Sequence, residues 1–167
     1  MTKKYKLTDE TREMFGRTLY RIQAITSFSN VEEGDRGGFV EKEANLSQEG
    51  DAWVYEDAQI FGNARVYEDA QIFGNARVYG NARVYGDAQV KNRNEILWIT
   101  PIGSENGTLT VTRSKDGGLL INRGCFHGNL DEFTQAVEET HGENEYGKQY
   151  RLIIELIKLR FRVEDSK

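Results

Sequence analysis

The chain has 167 residues, a formal net charge of −5, one cysteine, two histidines, and seventeen glycines against one proline. Its longest apolar run falls far short of the ~20 residues that span a bilayer, and the single Cys125 excludes an internal disulfide or a cysteine-rich zinc site. No dense basic patch is present, which argues against nucleic-acid binding driven by counterion release. The length fits one domain, or a small one with an elaborate cap. Met1-Thr2-Lys3-Lys4-Tyr5-Lys6 is basic with no apolar stretch behind it, so no secretion signal is expected, and a reducing, cytoplasmic compartment is.

Residues 3–28 read as β-rich. Tyr5-Lys6-Leu7 and Leu19-Tyr20-Arg21-Ile22 alternate, with a turn around Glu13–Arg17. Residues 1–37 are therefore expected to form an N-terminal β cap, with Gly34-Asp35-Arg36-Gly37-Gly38 as the turn that leads out of it.

The centre of the chain repeats with a period of six. From Val54 it reads VYEDAQ IFGNAR VYEDAQ IFGNAR VYGNAR VYGDAQ V, and the blocks 54–65 and 66–77 are identical. Aliphatics fall at Val54, Ile60, Val66, Ile72, Val78, Val84 and Val90, with an alanine four positions after each of the first six. A helix carries such a row around its surface, whereas short strands separated by turns hold it on one side. Aliphatic and alanine point inward; the aromatic and the Gln/Arg that flank the aliphatic point outward. Asp, Asn and Gly are expected to supply the left-handed backbone of the corners. Upstream, Val40, Ala44 and Leu46 keep the spacing. Leu46 to Val54 then inserts two residues, read as a loop near Ser47–Gly50. Ile96 keeps the aliphatic phase, so the repeat is drawn over 38–96.

After the repeat the period changes. Leu97–Thr100 and Thr108–Thr112 read as strands, Lys115-Asp116-Gly117-Gly118 as a hairpin turn, and Leu119–Asn122 as the returning strand. Asn129 and Glu132 have capping-box spacing at the start of a helix with Leu130, Phe133 and Val137 as its apolar stripe, stopped by Gly142. A second helix runs from about Glu145 to Phe161, with Tyr150, Ile153, Ile154, Ile157 and Phe161 on one face. Residues 97–167 are thus expected to be an α+β unit of two or more strands and two helices.

The repeat resembles the hexapeptide-repeat left-handed β-helix, in which three hexads make one triangular coil. The resemblance implies a mainly β fold, a left-handed β-helix of about three coils, and a homo-oligomer, dimer or trimer, packed through flat faces. It also implies that Val54 stacks with Ile72 and Val90, Ile60 with Val78, and Val66 with Val84. The flanks resemble small repeat proteins encoded by bacteriophages and prophages: Lys4–Thr11, Gly37–Glu43, Asn122–Phe126, Leu130–Phe133 and Thr140–Gly142 carry that likeness. It implies a bacterial host cytoplasm and is nearly silent about activity.

Many hexapeptide β-helices are acyltransferases with a histidine base on or beside the coil; the related γ-class carbonic anhydrases bind zinc through three histidines. This chain has no histidine before His127 and no long insertion in its hexads, so no enzyme activity, metal or cofactor is expected. His127, read in a Phe126–Gly128 turn, and His141, at a helix C-terminus, are read as structural, and Cys125 as a buried small residue. The outward rows supply aromatic and arginine anchors on a rigid scaffold: Tyr55, Phe61, Arg65, Tyr67, Phe73, Arg77, Tyr79, Arg83 and Tyr85 are the candidate binding residues. The plain alternative is that the stacked rings only hold neighbouring coils together. The expected partner is a host defence protein, an effector of the CRISPR type or a nuclease, antagonised by occlusion. A nucleotide immune signal, an acyl-transfer role and a structural or virion role stay open.

Overall fold

In the computed structural model, which describes residues 2–165, the alternating N-terminal segment is a hairpin. Strands β1 (Tyr5–Met14) and β2 (Arg17–Ala24) pair antiparallel and turn through Phe15 and Gly16, at φ 51° and 74°. Two positive φ values match the twist of a two-residue connection. β2 also pairs antiparallel with β3 (Arg36–Val40). Gly37 and Gly38 are therefore strand, and the expected turn shrinks to Glu33-Gly34. The reason is close approach: a Cβ on Gly38 would meet Val54 Cγ1 at 2.6 Å and overlap the Ala58 carbonyl oxygen.

The hexads fold as two-residue strands: β4 (Trp53–Val54), β5 (Gln59–Ile60), β6 (Arg65–Val66), β7 (Gln71–Ile72), β8 (Arg77–Val78), β9 (Arg83–Val84) and β10 (Gln89–Val90). They stack as parallel ladders. Val54 pairs with Ile72 and Ile72 with Val90; Ile60 pairs with Val78, and Val66 with Val84. Backbone bonds such as Tyr55 N–H to the Ile72 carbonyl (2.7 Å) and Phe61 N–H to the Val78 carbonyl (3.0 Å) join successive rungs. The seven aliphatics and six alanines are all at most 1% exposed. β3 pairs in parallel with β5, so one sheet in the order β1-β2-β3-β5-β8 runs from the hairpin into the repeat.

The corners differ from expectation in which residue bends. The corners at Ala58, Ala70, Ala76, Ala82 and Ala88 are closed by the alanine N–H on the carbonyl of the aromatic three residues back, as in Ala58 to Tyr55 at 3.1 Å. The positive φ falls on the residue after the aromatic: Gly62, Gly74, Gly80 and Gly86, but also Glu56 (54°) and Glu68 (60°). None of the Asp or Asn residues before the alanines takes a positive φ. The turn requires the left-handed conformation at its first central position, and the Asp/Asn row occupies the second.

The two extra residues lie in the bends at 48–51, where the N-terminal strand grips the chain. Lys4 Nζ donates to the carbonyls of Ala52 (2.8 Å) and Gly50 (3.0 Å), and the Tyr5 hydroxyl to that of Leu46 (2.7 Å). Trp53 occupies an outward position yet is 1% exposed, because Tyr5 and Phe28 meet it edge-on at 6.1 and 5.4 Å.

The chain forms two compact units, divided between Arg93 and Asn94. Ile96 belongs to the second: it opens β11 (Ile96–Ile102) and pairs antiparallel with Thr112, so it does not prolong the repeat, whose last rung is Val90. β11, β12 (Gly107–Arg113), β13 (Leu119–Arg123) and β14 (Phe126–Gly128) form an antiparallel meander. Helix α1 (Leu130–His141) starts with the expected Asn129/Glu132 capping box, and α2 spans Glu145–Phe161. Leu109, Val111 and Ile121 pack with Phe133, Val137, Tyr150, Ile154 and Ile157 as this unit's core. Two sequence readings change here. Phe126–Gly128 is a strand, and the turn lies at Gly124-Cys125, which leaves Cys125 exposed at a hairpin tip instead of buried. No helix among the described residues is long and apolar enough to cross a membrane.

Candidate binding face

The ladder register places the nine candidate side chains. Tyr55 stacks on Phe73 with centroids 4.5 Å apart and planes 6° apart; Phe61 stacks on Tyr79 at 5.0 Å and 3°; Tyr67 stacks on Tyr85 at 6.0 Å and 24°. Arg65 pairs in register with Arg83, and Gln59 with Arg77. The set is thus dealt among three ladders and does not form one surface.

Exposure divides it further. Phe61 is 4% exposed, buried with Leu19 and Phe39 beneath the hairpin and flanked by Met14 and Phe15. It is a core residue of the cap junction and leaves the list of displayed anchors. Tyr85 is buried as well, at 8%. Tyr55, Phe73, Arg77 and Tyr67 are half-buried, and Tyr79, Arg65 and Arg83 are exposed.

Arg65, Tyr67 and Arg83 are brought together. With Val66, Ala44 and Ser47 they line a groove of about 430 Å³. Its origin lies in the rung above. Leu46 bridges in parallel to Val66, which sets Asn45 over Arg65 and Ser47 over Tyr67. Where the regular hexads put arginine and a ring, this rung has a short amide and a hydroxymethyl group. Asn45 turns inward: its amide donates to the carbonyls of Ala64 (2.8 Å) and Gly62 (3.1 Å), which pins the short 3-10 turn Glu43–Asn45 against the ladder. The recess is the space that a third arginine and a third ring leave unfilled. Ala44 and Ser47 were absent from the candidates read in the sequence. The signal for them was the loss of the aromatic and arginine rows at the irregular hexad.

The groove is cationic. Two guanidinium-bearing rungs lie roughly 4.8 Å apart along the ladder. Burial holds the Tyr67 phenol above its ordinary pKa, opposed by Arg83 and Arg65 and reinforced by Glu68, so it offers a neutral hydroxyl. The Glu68 carboxylate accepts from the Gly86 N–H at 2.8 Å. Both histidines lie in the second unit. His127 is exposed with Nδ1 3.1 Å from Asn122 Nδ2, and His141 stacks on Tyr150 at 5.6 Å. Among the described residues no cluster of three or more His, Cys, Asp or Glu is placed to hold a metal ion.

A family model described as the YdcK beta solenoid repeat matches residues 58–70, 70–81 and 76–92. The match coincides with the stacked hexads and makes the central segment a β-solenoid repeat of the β-helix kind. No curated protein matches the chain.

Proposed function

We propose that the protein acts by binding, not by catalysis, and that the Arg65–Tyr67–Arg83 groove is where an acidic partner sits. One observation carries the reading: two arginines stacked on successive rungs, beside a row of rings, line a recess that the irregular hexad leaves open. The backbone beneath each side chain is fixed in a hydrogen-bonded ladder, so binding orders the side chains alone and not the chain that carries them. We read the solenoid as left-handed, of about three coils, on the strength of the hexapeptide resemblance. The likeness of the flanks to phage and prophage proteins makes a host defence protein, a nuclease or CRISPR-type effector in the bacterial cytoplasm, the partner class to test.

In the test, the chain is co-expressed with individual defence systems and phage plating is scored, followed by gel filtration of the purified pair. Arg65→Glu with Arg83→Glu should abolish both the restored plating and the complex while leaving the melting temperature within about 2 °C, since both side chains are exposed. A complex that survives the double substitution removes the groove from the reading. The concavity favours one second reading, a nucleotide with its phosphate on the arginines and its base against Tyr67. A thermal shift with a nucleotide panel that is lost in the same double variant would select it.

A further inference from the structure

The second unit contains its own recess, of about 210 Å³, lined entirely by residues between Ser104 and Tyr150. One wall is apolar. Phe126 and Phe133 meet there with centroids 5.3 Å apart, beside Ala136 and Val137 of α1. The polar side is Arg123, whose side chain is only 12% exposed.

That guanidinium is fixed in place. Nε donates to the Tyr150 hydroxyl at 2.9 Å and Nη2 to the Ile102 carbonyl at 3.1 Å. A Cβ on Gly107 would lie 2.7 Å from Nη1, and one on Gly103 2.9 Å from Nη2, so two glycines vacate the space it fills. Tyr150 is itself stacked against His141, which also lines the recess. The charge is poorly compensated: the carboxylate paired with it, on Glu105, is 3.9 Å from Nη1 and is 82% exposed. A largely buried cation held by a phenol, a carbonyl and a distant solvated carboxylate has donors left for an anion. A planar fork matches the two oxygens of a carboxylate. The facing phenylalanines favour an apolar body behind it. The volume lies below the roughly 300 Å³ at which drug-sized pockets begin, which limits that body to about one ring.

We propose that this recess binds an apolar carboxylate, with its oxygens on Arg123 and its body against Phe126 and Phe133. Two sources share that chemistry: a small free acid, and the terminal carboxylate of a peptide ending in an apolar residue. The inference is independent of the groove on the repeat.

The test titrates the full chain with phenylacetate, phenylacetamide, inorganic phosphate and an acetylated tripeptide ending in phenylalanine, while the His141 and Tyr150 ring signals are followed by NMR. Phenylacetate or the tripeptide should shift both signals saturably, with the amide and phosphate at least tenfold weaker. Tighter binding of the tripeptide assigns a chain terminus, and tighter binding of phenylacetate a free acid. Arg123→Gln should weaken binding at least tenfold. Because Arg123 also holds Tyr150, Ala136→Phe, which fills the recess from a half-buried helix position, is the second variant and should abolish the shifts in a folded protein. Equal binding of phenylacetamide, shifts that persist in Ala136→Phe, or no saturable response to either carboxylate would overturn the assignment.

Discussion

Single residues reveal where this repeat departs from regularity. Glu56 and Glu68 hold a positive φ that glycine holds at the equivalent corners, a conformation that costs an L-residue about 1–2 kcal/mol. Their side chains are not equivalent. The Glu68 carboxylate receives the Gly86 N–H on the next rung, which offsets part of that strain. Glu56→Gly should therefore raise stability by about 0.5–1 kcal/mol, less than the full relief because glycine also loosens the unfolded chain, and Glu68→Gly should gain less. Urea midpoints of the two variants decide this. Lys4 makes a second prediction. Burial, opposed by Asp51 and Asp69, lowers its pKa to about 8 from 10.5. Below pH 8 the side chain is protonated in both states and the folded state bears the full desolvation cost. Between about pH 8 and 10 the unfolded chain keeps a proton that the folded chain has shed, so stability rises with pH. Above pH 10 the trend reverses through Tyr5, whose phenol burial pushes upward: the folded state then keeps a proton that the unfolded state loses. Lys4→Met should flatten the rise between pH 8 and 10 in denaturation series.

At the scale of elements, the hairpin and the first rungs form one sheet, and the residue that shows it is Phe61. Phe61→Ala should cost about 3–4 kcal/mol because it opens a cavity against Leu19 and Phe39. Tyr79→Ala, one rung along the same stack, should cost about 1 kcal/mol, since that ring is already 42% exposed. Melting curves of the two variants measure the contrast. The strands themselves were legible in the sequence because a period of six keeps the aliphatic and the alanine on one side only when short strands alternate with turns. Both helices were legible from their caps and apolar stripes, and they lie where Asn129, Gly142 and the Tyr150–Phe161 face put them. What periodicity could not disclose was which outward residues are covered. Phe61 and Phe73 have identical local sequence, and only the long-range pairing of β2 with β3 buries the first of them. The groove was hidden for a related reason. It is defined by small side chains at Ala44 and Ser47, which carry no motif and gain meaning only once Leu46 is seen to lie over Val66.

For the whole molecule, the unit of construction is the eighteen-residue ladder step from Val54 to Ile72 to Val90. An insertion that copies residues 60–77 after Arg77 adds one full step and should keep every ladder in register, giving a cooperative melt at equal or higher temperature. A copy of residues 75–77 alone adds three residues, which throws the aliphatic row out of phase with its ladders, and should broaden or abolish the transition in circular dichroism melts. The exact duplication of 54–65 as 66–77 gains a different significance in this frame. Twelve residues are two thirds of one step, so a copied segment arrives rotated and meets new neighbours at every position. A gene that merely repeated itself would thereby diversify the protein's surface before any codon had changed.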